Sequence, residues 1–547
     1  MSSDWAEQLR QHCLSAAEQI NQECEAAIDG DEKYAAVLAY GLAHEFQPRR
    51  GVAGCGAALV QLLRRQATSV LSLYGDATAG KFGDKSAEDA KDRKRTLLLK
   101  RLDDLLSISY SKFYAYLFKD LPVHWRQLYT DASILKFSVL WLSSATTAAV
   151  PNLEDMVKTM DMALILAGAP GDKRGQVWIQ KALDLLEEVV RTGASRVSAQ
   201  TPNKPVEEDQ RPSKRRRVRD ESKGPEGTAP SFSTSEKFTP TISHPIQREE
   251  NLTLEEFQNH LDNHVDGSEN RGPEPLVISG LADDWPARTG RPWNNPDYLM
   301  SRTFDGRRLV PVEVGRSYVD DGWGQKIVSF GQLLHEYIDP DSAKSTETSG
   351  GKRKRSLAPA SKPAATAYLA QHQLFTQLPR LRSDIQIPDL CYTSPPKHPT
   401  DATQDMPELD TPQLNAWFGP GGTITPLHTD PYHNLLVQVV GRKYVRLYGP
   451  WETPRMQARG KEDGVEMGNT SQVDVGAVEA WDEVDKDLGK EKDEEKDDEA
   501  LRRLDEFRAV PYLDCILEPG DTLYIPIGWW HYVRGLSVSF SVSFWWN

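Results

Sequence analysis

Through the first 195 or so residues, apolar positions recur every three to four. In WAEQLRQHCLSAAEQINQECEAAI they fall at Trp5, Leu9, Cys13, Ala17, Ile20, Cys24 and Ile28. That is the spacing of one face of an amphipathic helix. The same period returns in YAAVLAYGLAHEF, ALVQLLRRQATSVLSLY, RTLLLKRLDDLLSISYSKFYAYLF, SILKFSVLWLSS, DMVKTMDMALILAG and VWIQKALDLLEEVVRT, with short Gly/Asp-rich breaks between them. Six or seven helices are expected. Stacked helical pairs of the tetratricopeptide type and a generic bundle both fit, and no clean 34-residue repeat favours the former.

From about residue 246 the period shortens. PLVISGL, RRLVPVEVG, LNAWFGP, LLVQVVG, KYVRLYGP, CILEPG, DTLYIPIGWWHYV and LSVSFSVSFWW are short, rich in β-branched and aromatic residues, and bounded by Gly and Pro. Many such strands predict a sandwich or barrel. In the last of them Ser537, Ser539, Ser541 and Ser543 fall on one face, and Val538, Phe540, Val542 and Phe544 on the other.

Between the two regions, residues 196–245 are rich in Pro, Ser, Lys and Glu and read as a disordered linker. Its KRRRVR cluster, Lys214 to Arg219, reads as a nuclear-import signal, so the nucleus is the expected compartment, with the cytoplasm as the other. Two low-complexity inserts, at about 339–365 (basic at Lys352 to Arg355) and about 475–506 (acidic), interrupt the strand region and read as solvated loops. The expected division is therefore 1–195 helical, 196–245 linker and 246–547 β domain.

Composition narrows the function. With 547 residues and a net charge of −15, the chain exceeds one ordinary domain and does not suit coating nucleic acid over its whole surface. Five cysteines without CxxC spacing indicate reduced thiols rather than a zinc finger or a disulfide framework. MSSDWAEQLRQHC lacks the apolar core of a signal peptide, and no run of about 18 apolar residues occurs, so no membrane association is expected.

Candidate chemistry lies in TPLHTDPYHNLL, residues 425–436. Alternate residues of a strand share a face, so His428 and Asp430 are expected to point together. His433 follows Pro431, which breaks that register, and is left out. A third ligand must come from a distant strand, and His531, set among tryptophans, is the candidate. Two histidines and a carboxylate with open positions favour non-heme Fe(II) over zinc. Lys443 shares a strand face with Val445 and Leu447, where a buried ammonium needs an anion such as the carboxylate of a small organic acid. The serine face of the final strand is expected to wall that ligand.

These motifs, with the strings PVEVG (311–315), YLAQHQLF (368–375), AWFGPGGTITPLHTDPYHNLLVQVVGRKYVRLYGP (416–450), NTSQVDV (469–475) and YIPIGWWHYVRGLSVSFSVSFWW (524–546), resemble the JmjC-domain oxygenases, and within them the group of JmjC-domain protein 5, or lysine-specific demethylase 8. The resemblance covers about 246–547 apart from the inserts. It implies an α+β chain in which the helical domain precedes a JmjC double-stranded β-helix, a cupin-like jelly roll. It further implies an enzyme using Fe(II), 2-oxoglutarate and O2, with His428, Asp430 and His531 as iron ligands. Lys443, Tyr368, Asn434 and Thr425 would hold 2-oxoglutarate, and Glu313 and Trp417 would line the substrate pocket.

The implied product is a hydroxylated residue, with arginine favoured because a carboxylate at Glu313 can pair bidentately with a guanidinium. Methyl-lysine demethylation at the same site is the alternative, and a non-catalytic cupin-type scaffold is the rival class. The expected partner is a basic protein or peptide bearing arginine or lysine, such as a histone or another chromatin or ribosomal protein. No direct nucleic-acid site is expected.

Overall fold

The computed structural model describes residues 4–39, 51–78, 85–116, 120–144, 150–171, 174–200, 231–262, 271–315, 317, 319, 322–339, 366–462, 465–482 and 502–547. The chain forms two compact units, one of residues 1–224 with 307–309, the other of residues 225–306 with 310–547.

The first unit holds α1 (Asp4–Ala39), α2 (Ala57–Thr78), α3 (Lys85–Phe113), α4 (Val123–Ser144), α5 (Leu153–Ala167) and α6 (Gln176–Gln200). The first two sequence segments merge, since α1 runs through Gly30 to Ala39. One glycine costs a helix about 1 kcal/mol, too little to break a long one. α4 decides the architecture. It packs against α1, α2, α3 and α5 and buries Leu128, Ile134, Leu135, Phe137 and Trp141 around its circumference. A helix enclosed on several sides belongs to a bundle, because repeats in a solenoid touch only their neighbours.

The second unit carries a nine-stranded sheet and a four-stranded sheet. In chain order the strands are β1 (Arg248–Glu250), β2 (Leu276–Ser279), β3 (Leu309–Val314), β4 (Gly324–Ser329), β5 (Ala367–His372), β6 (Gln413–Gly419), β7 (Ile424–His428), β8 (His433–Val440), β9 (Lys443–Tyr448), β10 (Lys461–Glu462), β11 (Val465–Glu466), β12 (Leu513–Leu517), β13 (Thr522–Ile525), β14 (Trp530–Gly535) and β15 (Ser539–Trp546). The large sheet has the order β1-β2-β13-β8-β15-β6-β5-β3-β4, and the small one β12-β9-β14-β7. DTLYIPIGWWHYV thus supplies two strands, one to each sheet. Between the sheets, Val277, Leu436, Leu523 and Ile525 of the large sheet meet Val445, Leu447, Leu517 and Val533 of the small one.

The outer face of β15 follows the expected alternation. Val538, Phe540, Val542 and Phe544 join one apolar cluster with Trp285, Trp293, Phe330 and Phe418. The serine face departs from expectation. Ser541 donates to Gln438 Oε1 at 2.7 Å, and Ser543 Oγ accepts the Trp417 indole N–H at 3.0 Å. These two hydroxyls are engaged with protein partners, the Ser539 hydroxyl has none, and none of the three lines the cavity around Lys443.

Both edges of the expected linker are ordered. α6 continues to Gln200, and residues 231–245 lie on the β unit, with Phe232 buried against Phe418 at a ring distance of 5.8 Å and Pro245 bridged to Asp514. One phenylalanine in a polar stretch has no period to reveal it. Lys214 to Arg219 lies outside the described residues, as does most of the 339–365 insert.

Both ends of the expected acidic insert are packed, and 483–501 lie outside the described residues. Val475 and Val478 lie on a short helix, Val475–Val478, and Phe507 follows on a helix over 502–508; with Val510 they cover Tyr444, Tyr448, Trp530 and Tyr532 on the outer face of the small sheet. Glu479 pairs with Arg446 at 2.7 Å and Asp482 with Arg534 at 2.7 Å. Phe507→Ala should therefore destabilise the β unit by about 3–5 kcal/mol, read by chemical unfolding with tryptophan fluorescence. A solvated loop would show no loss.

Candidate metal centre and adjoining cavity

β7 and β14 pair antiparallel with His428 opposite His531. The two rings lie 4.1 Å apart between centroids, tilted by 50°. His428 Nδ1 sits 2.8 Å from the Pro426 carbonyl, and His531 Nδ1 sits 3.0 Å from the Trp529 carbonyl. A carbonyl can only accept, so both Nδ1 atoms carry a proton, and both Nε2 atoms are turned inward. Those two atoms converge on one carboxylate. His428 Nε2 is 3.7 Å from Asp430 Oδ1, and His531 Nε2 is 3.5 Å from Asp430 Oδ2. The three side chains place their ligand atoms within 4.8 Å of one another, the arrangement of a group able to hold one metal ion.

Asp430 reaches this point differently from the expected strand alternation, since β7 ends at His428. The turn after it is held by a neighbouring segment. Thr429 N–H donates to the Asn469 carbonyl at 2.9 Å, Ser471 N–H donates to the Leu427 carbonyl at 2.8 Å, and His428 is bridged to Thr470. His433, left out of the ligand set, donates or accepts at Tyr524 Oη and meets the Pro396 carbonyl, each at 2.8 Å.

Electrostatics match a site awaiting a cation. Burial lowers the His428 imidazole to about 4, helped by the neighbouring His531. Burial would raise the Asp430 carboxyl, but His531, then His428 and Asn434, outweigh it and hold the group below its usual range. His428 is thus offered as a neutral imidazole and Asp430 as an ionised carboxylate, the forms that bind metal.

The metal-competent group and Lys443 line one inner cavity with Tyr368, Trp417, Thr425, Asn434, Leu436, Ile525 and Val533. Lys443 is 1% exposed, and its amine donates to Tyr368 Oη at 3.2 Å. Among the described residues no carboxylate pairs with it, and burial lowers its amine to about 7. A buried ammonium with only a phenol for company suits an incoming carboxylate. Thr425 bonds the same phenol, whose pKa burial pushes up. Gly419 explains how the ring fits, since a Cβ there would stand 2.6 Å from Tyr368 Cδ2. Asn434 turns its amide donor toward Asp430 and leaves Oδ1 without a partner.

An outer cavity of about 210 Å³ continues from Tyr368, Trp417, Thr425, His428 and Asp430 to Glu313, Gln371, Asn469 and Trp545. Glu313 faces Tyr368 across the β3–β5 pair. Burial raises its carboxyl, opposed in part by the nearby Trp323 indole. Among the described residues no basic side chain pairs with it. All nine residues singled out in the sequence therefore line these two adjoining cavities. Gln371, Asn469 and Trp545 were missed. Gln371 sits at φ 46° where the β5–β6 register shifts, a bulge that no spacing announces. Asn469 opens a quoted string, NTSQVDV, that carried no assigned role.

Residues 269–547 match the family described as the cupin-like domain. Lysine-specific demethylase 8 of Danio rerio is 32% identical over 447 residues, covering 82% of this chain and 87% of the relative. Lysine-specific demethylase JMJ30 of Arabidopsis thaliana is 37% identical over 302 residues, 55% of this chain and 54% of the relative. Jumonji C domain-containing protein 5 of Drosophila melanogaster is 32% identical over 274 residues, 50% and 55% respectively. Taken with the pairing of a His/Asp/His group and a buried lysine inside the barrel, these matches show that the chain belongs to the JmjC members of the cupin-like family and is a 2-oxoglutarate-dependent dioxygenase.

Proposed function

We propose that the chain is a protein hydroxylase acting on arginine side chains, with Fe(II) held by His428, Asp430 and His531 and 2-oxoglutarate held by Lys443. The donor set fits the metal, being two imidazoles and one carboxylate with no cysteine. Lys443 fits the far carboxylate of the cosubstrate, and Tyr368 and Thr425 add hydroxyls beside it. When bound, iron and 2-oxoglutarate supply the oxidation of a substrate C–H by O2, releasing succinate and CO2. The chain's own part is to position and shield. Leu436, Ile525 and Val533 exclude water around the cosubstrate pocket, and the outer cavity orients the substrate.

Glu313 carries the choice of arginine. It is a half-buried carboxylate without a basic partner among the described residues, and it lines the same outer cavity as the Trp417 indole, His428 and Asp430. A guanidinium can pair with it bidentately and stack on the aromatic face. The second reading is demethylation of methyl-lysine. It draws support from the names of the relatives and from Tyr368, Trp417 and Trp545, three aromatics that could surround a methylammonium.

The test is succinate release with arginine- and methyl-lysine-containing basic peptides, followed by mass spectrometry. Gain of one oxygen on arginine supports the proposal. Loss of a methyl group from lysine with unmodified arginine overturns it in favour of the second reading. Glu313→Gln should raise KM for an arginine peptide by about thirtyfold or more, equivalent to about 2 kcal/mol or more for a truncated buried charge pair, while peptide-independent turnover of 2-oxoglutarate persists.

A further inference from the structure

Asn469 is an exposed side chain at the mouth of the outer cavity, yet it engages the turn between two residues of the metal-competent group. Its backbone carbonyl accepts the Thr429 N–H at 2.9 Å, and its Nδ2 donates to the Thr429 carbonyl at 3.2 Å. Both polar groups of the peptide unit on either side of Thr429 are thus read by one residue. The amide orientation is fixed chemically, because a carbonyl cannot donate, and Asn469 Oδ1 in turn accepts from Thr470 Oγ1 at 3.4 Å. Thr429 lies between His428 and Asp430, and Asp430 stands beyond the end of β7, where no ladder bond of that strand holds it. The backbone contacts of residues 469–471 anchor the near side of this turn, and the Asn469 side chain anchors the carbonyl that leads directly into Asp430.

We propose that Asn469 is a positioning residue that aims the Asp430 carboxylate through Thr429. Groups that orient a metal ligand without touching the metal typically change affinity by about 10- to 100-fold when removed. The inference rests on the metal reading of His428, Asp430 and His531.

The experiment titrates Co(II) alone into the metal-free full chain, followed by its visible absorption, for wild type, Asn469→Ala and Asn469→Asp. Asp fills the same space but presents an oxygen to the Thr429 carbonyl, so it separates hydrogen-bond donation from packing. Both variants are expected to bind Co(II) about tenfold or more weakly with an altered spectrum, while the unfolding midpoint of the metal-free chain stays unchanged. Wild-type affinity in Asn469→Asp overturns the proposal, as does wild-type affinity in both variants. Equal loss of thermal stability and metal binding would also overturn it, by showing a structural role. Failure of the wild type to bind Co(II) would instead overturn the metal reading, and this proposal with it.

Discussion

The Asp430→Ala chain is expected to fold, to bind no catalytic metal and to release succinate no faster than metal-free wild-type protein. The expectation follows from where the charge sits. His428 and His531 each spend Nδ1–H on a backbone carbonyl, at Pro426 and Trp529, and can give a metal only the lone pair of Nε2, which brings no negative charge. Asp430 supplies the one anion between them, 3.7 and 3.5 Å from the two Nε2 atoms. Without it, two neutral ligands face a divalent cation in a buried site, with no charge to offset the cation's lost hydration. Stability gives a second readout. A metal present at about a hundredfold over its Kd stabilises the native state by about 2.7 kcal/mol. Wild type should show that rise in unfolding midpoint on adding Fe(II) or Co(II), and Asp430→Ala should not. Metal-dependent succinate release by the variant at the wild-type rate would remove this group from the chemistry. Continued peptide binding by an inactive wild type would instead support the scaffold class.

The site was legible in the sequence to the extent that side-chain identity determines it. An imidazole, a carboxylate and a lysine amine are chemically conspicuous, and strand alternation was enough to put Lys443 on the same side as Val445 and Leu447, where the structure has all three buried. The same alternation brought Asp430 toward His428, although the chain achieves it by a turn beyond the strand end, and it could not reveal that Ser541 and Ser543 satisfy Gln438 and Trp417. A hydroxyl on the inside of a barrel does not say whether it serves a ligand or a neighbour. Asn469 escaped for a further reason. Half of its grip on Thr429 is a backbone carbonyl, which every residue type possesses. Tertiary packing hid the rest. Phe232 lies singly in a polar run, and Val475 and Phe507 sit beside the acidic tract; each becomes core because a sheet face needs covering there. Periodicity detects a face that repeats, not one residue that docks.

Lys443→Met is expected to raise the 2-oxoglutarate requirement by a factor of a few hundred to a few thousand, corresponding to about 3–5 kcal/mol for loss of one partner of a buried charge pair. Methionine keeps the length and apolar stem of the lysine, so the barrel packing of Leu436, Ile525 and Val533 around it should survive. The pH dependence distinguishes this charge from a packing effect. In the ligand-free protein, burial lowers the amine from its ordinary 10.5 to about 7. The native state therefore binds fewer protons than the unfolded chain between pH 7 and 10.5, and stability gains from this group as pH rises through that window. Below pH 7 the buried ammonium is present and the gain is absent. Lys443→Met should lose this slope and be the more stable ligand-free protein near pH 7. A bound dicarboxylate reverses the preference, since its anion favours the ammonium. At pH 8 wild type should take up a proton on binding 2-oxoglutarate, seen as a dependence of the calorimetric heat on the buffer's ionisation enthalpy, and affinity should fall as pH climbs further. A buffer-independent heat in wild type, or an unchanged cosubstrate requirement in Lys443→Met, would mean that the carboxylate lies elsewhere in the barrel.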